Sequence, residues 1–305
     1  MKTVLCVGEL LVDFFCTEAD VTLVEGVHYE KQAGGAPANV CAAIAKLGGK
    51  AKFCGKVGND AFGDFLERAL VDNGVDTSML VRGHEPTTLA FVSRTADGER
   101  DFLFNRGADG MLVMEDIDME RLDAGIIHFG SATALLSDPF RHTYMNMMKM
   151  MRSRGSFISF DPNFRMDLWK GREEEYRRLV GECVELADFV KMSEEELAMY
   201  GQPVPIGKWF AVTKGKLGTW ISDGVEEALI PSIPVRAVDT TGAGDAFVGA
   251  ILKQLSDYPT LNNKTFQDFK QLTRFSNIVG ALVCTKIGAM TALPTTEDVL
   301  SYMEK

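Results

Sequence analysis

Several features are missing from this 305-residue chain, and each absence removes a class of function. No Cys-x-x-Cys pair occurs among its six cysteines, Cys6, Cys16, Cys41, Cys54, Cys183 and Cys284. Several of them sit inside apolar runs, so they read as buried reduced thiols and not as a disulfide framework or a zinc site. An excess of positive charge is also missing. The formal net charge is −11 with a pI near 5.0, which argues against a nucleic-acid or anionic-membrane surface but leaves room for a local cationic pocket. No apolar run approaches the ~20 residues of a membrane span. Met1-Lys2-Thr3 leads straight into the short apolar stretch Val4–Gly8, too brief for a secretory core, and a cytoplasmic location is expected. There is no internal repeat and no low-complexity tract. No G-x-G-x-x-G follows the first strand, where the glycines are Gly8 alone and then Gly34-Gly35, so a Rossmann dehydrogenase is disfavoured. With 46% hydrophobic and 25% charged residues, what remains is an ordinary soluble chain, long enough for one large α/β domain with a small appendage.

What is present concentrates in Val238–Ile251, V-D-T-T-G-A-G-D-A-F-V-G-A-I. Gly242 and Gly244 bracket Ala243 and let the backbone turn tightly. The unpaired N–H groups of the following helix then converge where its dipole favours negative charge. That is an anion site. Asp245 follows at once, and a carboxylate there repels a resident phosphate; it suits a general base beside a phosphoryl group that arrives and leaves. The plainer alternative is a helix start whose aspartate answers the dipole.

Elsewhere buried strands alternate with helices. Val4–Gly8 reads as a parallel strand covered on both faces, with Glu9 and Asp13 at its carboxyl end, the ligand side of an open sheet. Asp13 is a candidate for hydrogen-bonding a polar substrate or, equally, a loop cap. Gly34-Gly35-Ala36-Pro37-Ala38-Asn39 opens a helix in which Pro37 suits the first position. Asn39, a mediocre helix former beside two glycines, is assigned a binding role. Lys52–Gly58 and the helix after it form a second βα unit. From Thr87 the rhythm breaks. Two β-prone runs around Asp97-Gly98 spell a hairpin, either a lid whose ends Asn105 and Arg106 touch a substrate or an exposed edge without a role. Strands at Ile126–Gly130 and Phe157–Phe160 flank a helix whose methionines at 145–151 fall at core spacing. His128 has no acid, cysteine or second histidine at a useful spacing and reads as a core residue. Asp161, Asn163 and Arg165 stand at a carboxyl edge. After the strand Ala187–Lys191, Ser193 and Glu196 form a capping box, which leaves Glu196 able to hold a hydrated divalent ion. Trp209–Gly215 ends in Thr213, Lys214 and Gly215, and with Gly218 leaves backbone open to a flat base or a phosphate tail. A helix over Phe266–Lys286 carries Asn277, with Gly288 after it.

Four motifs together are specific: G-G-A-P-A-N-V-C-A-A-I-A-K-L-G from Gly34, K-V-G-N-D-A-F-G at 56–63, D-P-N-F-R at 161–165 and D-T-T-G-A-G-D-A-F at 239–247. In order and spacing they resemble the ribokinase-like (PfkB) carbohydrate kinases over essentially the whole chain. G-E-R-D-F-L-F-N-R at 98–106, F-S-N-I-V-G-A-L from Phe275 and T-K-I-G-A-M-T-A-L-P-T at 285–295 look most like the fructokinases. The resemblance implies a three-layer α/β/α ribokinase-like fold in a single domain, 1–305. Its central sheet would be mainly parallel, with a small β-sheet lid built from about 12–33 and 86–107. It implies ATP-dependent phosphorylation of a sugar hydroxyl, first of all D-fructose to D-fructose 6-phosphate. 2-Keto-3-deoxygluconate, or another sugar or nucleoside, is the alternative acceptor. A non-catalytic sugar sensor is the distant alternative, disfavoured because Asp245 and its glycines are intact.

By the same resemblance Asp245 deprotonates the acceptor, and the amides of Ala243, Gly244 and Asp245, following Gly242, hold the transferring charge. Asp13, Gly34, Gly35 and Asn39 match sugar-binding positions, and Arg106, Asn163 and Arg165 would line the same pocket and the phosphate path. Lys191, Ser193 and Glu196 fall where the nucleotide phosphates and hydrated Mg2+ are reached. Thr213, Gly215 and Gly218 match the nucleotide turn, and Asn277 lies where adenine is flanked. Asp239 and Thr240, with carbonyls near Lys286 and Gly288, match a monovalent-cation loop, so K+ is expected. The implied partners are a small sugar and ATP, neither nucleic acid nor membrane, with a homodimer through the lid as a further option. Two departures stand out: Ser193 occupies a place where many members have Asn, and the Gly201–Lys208 connection lacks a helix that relatives insert, which would remove a wall near the nucleotide.

Overall fold

The computed structural model describes residues 1–94, 100–122, 125–261 and 264–303. The strands are β1 (Thr3–Val7), β2 (Leu11–Cys16), β3 (Tyr29–Gly34), β4 (Lys50–Gly58), β5 (Asp76–Gly83), β6 (Leu89–Arg94), β7 (Arg100–Asn105), β8 (Ile126–Gly130), β9 (Phe157–Asp161), β10 (Phe189–Ser193), β11 (Trp209–Thr213), β12 (Thr219–Ser222) and β13 (Glu227–Ile230). The helices are α1 (Ala36–Lys46), α2 (Ala61–Asp72), α3 (Phe140–Ser153), α4 (Met166–Trp169), α5 (Glu173–Leu186), α6 (Glu194–Tyr200), α7 (Ala243–Asp257), α8 (Phe266–Val283) and α9 (Thr296–Met303).

Nine strands form one sheet in the order β13-β12-β11-β10-β9-β8-β1-β4-β5. All pairings from β11 to β5 are parallel, and β12 and β13 close one edge antiparallel. The unbroken apolar runs of β1 and β8 follow from this, because a central parallel strand is covered on both faces. Val4 and Cys6 face one layer with side chains of α1, α2, α7, α8 and α9. Leu5 and Val7 face the other, with α3, α5 and α6. The result is the three-layer α/β/α arrangement. His128 is fully buried, its Nδ1 2.9 Å from Ser159 Oγ. Met145, Met147, Met148 and Met151 are core, as their spacing requires. Cys6, Cys41, Cys54 and Cys183 are buried free thiols, and Cys16 and Cys284 are half-buried. None of the described helices is long and apolar enough to cross a membrane.

A second sheet of four strands runs β3-β2-β6-β7. One of its faces packs on α2, where Phe14 stacks on Phe91 at 5.0 Å and meets Phe62 edge-on at 5.7 Å. Its other face looks into the site. β6 and β7 pair antiparallel as a hairpin, and the expected Asp97-Gly98 turn lies outside the described residues. Helix α8 stops at Val283, short of the expected Lys286. Thr285 and Lys286 donate to carbonyls three residues back, tightening the last turn, and the Cys284 carbonyl accepts from Val238 and Asp239 instead of continuing the helix.

Candidate active site

The turn before α7 is set by Gly242, which caps the helix in the left-handed region at φ 75 and leaves no room for a side chain: a Cβ there would lie 2.6 Å from that of Ala289. The amide of Ala243 donates back to Thr240 at 3.3 Å, so the expected trio of open amides becomes a pair. The N–H groups of Gly244 and Asp245 have no acceptor among the described residues. Asp245 is buried, and one carboxylate oxygen accepts from Asn39 Nδ2 at 2.8 Å. Loss of hydration pushes its pKa up to about 6. The Asn39 bond, Lys191 and Arg165 oppose that rise, and the charge of Asp161 adds to it.

Two cavities meet at this turn. The smaller, about 240 Å3, is walled by Glu9, Asp13, Gly35, Asn39, Arg165 and Asp167, and roofed by Phe15, Val92, Phe102 and Phe104 of the second sheet. The larger, about 760 Å3, is walled by Thr213, Gly215, Gly218, Thr219, Val235, Phe247, Asn277 and Ala281. Thr241, Gly242 and Asp245 face the first; Thr240, Ala243 and Gly244 face the second. One helical turn therefore presents a carboxylate to one chamber and an open amide to the other.

The sequence pattern of the pfkB family carbohydrate kinases matches residues 1–296. The chain belongs to this family. Fructokinase-1 of Oryza sativa subsp. japonica is 40% identical to this pfkB kinase over 322 residues, covering 99% of this chain and 98% of the rice protein. A sugar kinase of Pyrococcus horikoshii, solved as a crystal structure, is 35% identical with a TM-score of 0.88, covering 99% of this chain and 98% of its own. A double-mutant fructokinase of Vibrio cholerae O395, solved with fructose, ADP and a potassium ion, is 32% identical with a TM-score of 0.84, at 99% and 98% coverage.

Within this pfkB kinase the acceptor-side candidates gather unevenly. Asp13 stands in the smaller cavity, its pKa raised to about 7 by desolvation, with Arg165 pulling down and Glu9 pushing up. Gly34 lies behind it, where a Cβ would overlap the Asp13 carboxylate. Asn39 is oriented by Asp245, and its Oδ1 is buried without a partner among the described residues. Asn163 lines neither cavity; it is buried in a left-handed conformation at φ 46, its Nδ2 unpartnered among the described residues. Arg106 is not brought to the cavity. Its guanidinium donates to Ser137 Oγ at 2.7 Å and the Thr133 carbonyl at 2.8 Å and lies 3.5 Å from Asp109, pinning the end of β7 to the loop after β8.

On the other side Thr213, Gly215 and Gly218 border the larger cavity, and so does Asn277. The Asn277 amide is already spent, accepting from Thr219 Oγ1 at 2.6 Å and donating to the carbonyls of Ile230 and Pro231. Lys191 lines neither cavity. It is buried beneath the turn, 3.0 Å from Asp161, and although burial pulls its pKa down, Asp161, Glu196 and Asp245 together hold it above the usual value. Ser193 caps α6 in the expected box. Glu196 is buried, with one oxygen on the Phe164 amide and the other on the Ser193 amide, both at 2.6 Å. Asp239 accepts from Thr241 at 3.0 and 2.7 Å and from the Gly288 amide at 3.0 Å, lacing 238–241 to 284–288 beside exposed Lys286.

Sequence reasoning gave no role to Glu9, whose carboxylate accepts from the Ala36 and Ala132 amides at 3.2 and 3.3 Å and from the Ser131 hydroxyl, tying β1, α1 and β8 at the cavity floor. Its place just after a buried strand was the available signal. The roof phenylalanines could have been read from the period-two pattern of F-L-F at 102–104. Among the described residues no three of His, Cys, Asp or Glu converge as a metal cage. Glu196 lines neither cavity and spends both carboxylate oxygens on backbone amides, so a magnesium ion would meet it through water alone. In the laced loops the Cys284 carbonyl is taken, while the carbonyls of Lys286 and Gly288 accept no hydrogen bond among the described residues and are open to a cation.

Proposed function

We propose that this chain is an ATP-dependent fructokinase, converting D-fructose and ATP to D-fructose 6-phosphate and ADP. The observation that carries this reading is the single turn that sets Asp245 on a monosaccharide-sized cavity and Gly244 on a larger one. A hexose in the first places a hydroxyl at Asp245, and a nucleotide in the second places its terminal phosphate at the open amides. Asp245 is ionised at neutral pH, yet its raised pKa makes it a better base than an ordinary aspartate. It takes the hydroxyl proton as the oxygen bonds the γ-phosphorus; the bond from that phosphorus to the bridging oxygen breaks, and ADP leaves with the electron pair. The amides of Gly244 and Asp245, the α7 dipole and the Lys191 ammonium stabilise charge in this in-line transfer.

Glu196 would hold hydrated Mg2+ through water, with Ser193 positioning it; the ion, when bound, neutralises phosphate charge. Asp239, Thr240 and the carbonyls of Lys286 and Gly288 would hold K+, a reading supported by the potassium bound in the Vibrio relative. Asn39 and Asp13 are read as sugar ligands, and the sheet from about 12–33 and 86–107 as a lid whose aromatic face keeps water from the transfer. Among the described residues the smaller cavity sets four carboxyls, Glu9, Asp13, Asp167 and Asp245, against one guanidinium, Arg165, and burial already raises the pKa of Glu9, Asp13 and Asp245. That balance favours a neutral acceptor over the carboxylate of 2-keto-3-deoxygluconate. Coupled ADP release measured with fructose, 2-keto-3-deoxygluconate, ribose and adenosine tests the reading. Turnover of another acceptor without fructose displaces the assignment, and binding without any turnover favours a sensor.

A further inference from the structure

Asp161 lines neither cavity, yet its carboxylate joins what lies beside both. The parallel register pairs Phe160 with Val190, so Asp161 and Lys191 are the next residues on neighbouring strands and leave the sheet on the same side. Both side chains are buried, 0% and 8% exposed, with 3.0 Å between Lys191 Nζ and Asp161 Oδ2. The ammonium lies directly under the α7 turn, where a Cβ on Gly244 would sit 3.1 Å from Nζ. The other oxygen, Oδ1, accepts the Asn163 amide at 3.2 Å. That bond closes the left-handed kink from which the chain runs to Arg165, Asp167 and Leu168 on the wall of the smaller cavity. Asparagine is among the few non-glycine residues that enter this region readily, and the bond to Asp161 holds it there.

We propose that Asp161 is a positioning residue that sets the acceptor wall with one oxygen and holds the lysine beneath the phosphoryl turn with the other. The inference rests on the reading of Asp245 as base and of the turn as the transfer point. Its chemistry is that of a buried pair: a lone buried ammonium without its counterion must move toward the next carboxylate. Two carboxylates then compete for it, Glu196 from α6 and Asp245; Asp245 itself is faced by Asn39 from α1, Asp161 and Arg165 from β9 and the segment after it, and Lys191 from β10.

Asp161→Asn separates the two tasks, because its amide oxygen still accepts from Asn163 while its charge is gone. The expected result is a kcat lower by roughly 10–100-fold, as for an ångström-scale misplacement, with the KM for fructose nearly unchanged. The acidic limb of the kcat/KM profile moves down by about one pH unit, because the Asp161 charge that raises the Asp245 pKa is gone. In a double-mutant cycle, Asp161→Asn added to Lys191→Met costs nothing beyond Lys191→Met alone. An acidic limb that stays in place, or losses that add, overturns the proposal. If the single variant does not fold, the charge-balanced double variant compared with Lys191→Met decides alone. Absence of turnover in the wild type counts against the fructokinase reading instead; a crystal structure of Asp161→Asn then decides. Lys191 displaced from Gly244 with the Asn163 kink intact supports the role, and an unmoved Lys191 removes it.

Discussion

Replacing Asp245 by Asn should give a protein that is more stable and almost inactive. In the fold this carboxyl titrates near pH 6 against an ordinary value of 3.8. The direction fixes the sign. Below the unfolded value both states are protonated and the group is neutral to stability. Between 3.8 and about 6 the unfolded chain loses its proton first, so stability falls as pH rises, and above 6 the full cost of a buried charge is present. About two pH units correspond to at most ~3 kcal/mol. The substituted amide would carry no charge, and its oxygen could still accept from Asn39. Asp245→Asn is therefore expected to unfold several degrees above the wild type at pH 7, with the gap closing toward pH 4. Loss of the base should lower kcat by about 10²–10⁴-fold, roughly 3–5 kcal/mol of barrier. Sugar binding should remain. Differential scanning calorimetry across pH and a coupled ADP assay measure both halves. Near-normal turnover would refute the catalytic role, and a lower melting point at pH 7 would refute the desolvated carboxylate.

Gly34→Ala pushes a methyl into the Asp13 carboxylate. Losing the Asp13 hydrogen bond to the sugar should raise the fructose KM about tenfold while the ATP KM holds, as initial-rate kinetics would show. Asn277→Ala strands the Thr219 hydroxyl and two carbonyls between α8 and the β12–β13 edge; chemical denaturation should find ~1–3 kcal/mol of lost stability, with little change in kcat. Asp239→Ala unlaces the loops joined through Thr241 and Gly288. Rates in potassium and in tetramethylammonium chloride should then converge, whereas a wild type indifferent to potassium would remove the cation assignment.

Much of this was legible in the sequence because backbone chemistry is local. The two glycines before Asp245, Pro37 at a helix start and Ser193 with Glu196 each announce an element from a few neighbours. What was not legible depends on distant partners. Arg106 reads as a substrate contact until Ser137, Thr133 and Asp109 are seen to consume it. The Asn277 amide is spent on strands about fifty residues away in the chain, and the Ala243 amide is lost to a turn whose closure no motif records. Asp161 was visible as a residue at a strand end; its lysine partner appears only when two strands are set in register.

The helical turn shared by both chambers has a thermodynamic corollary. Any ligand that shifts residues 240–245 from one side alters the walls seen from the other. Because equilibrium binding cycles must close, whatever factor the sugar exerts on nucleotide affinity, the nucleotide exerts equally on the sugar. The sign of coupling measured for one ligand therefore fixes the sign for its counterpart.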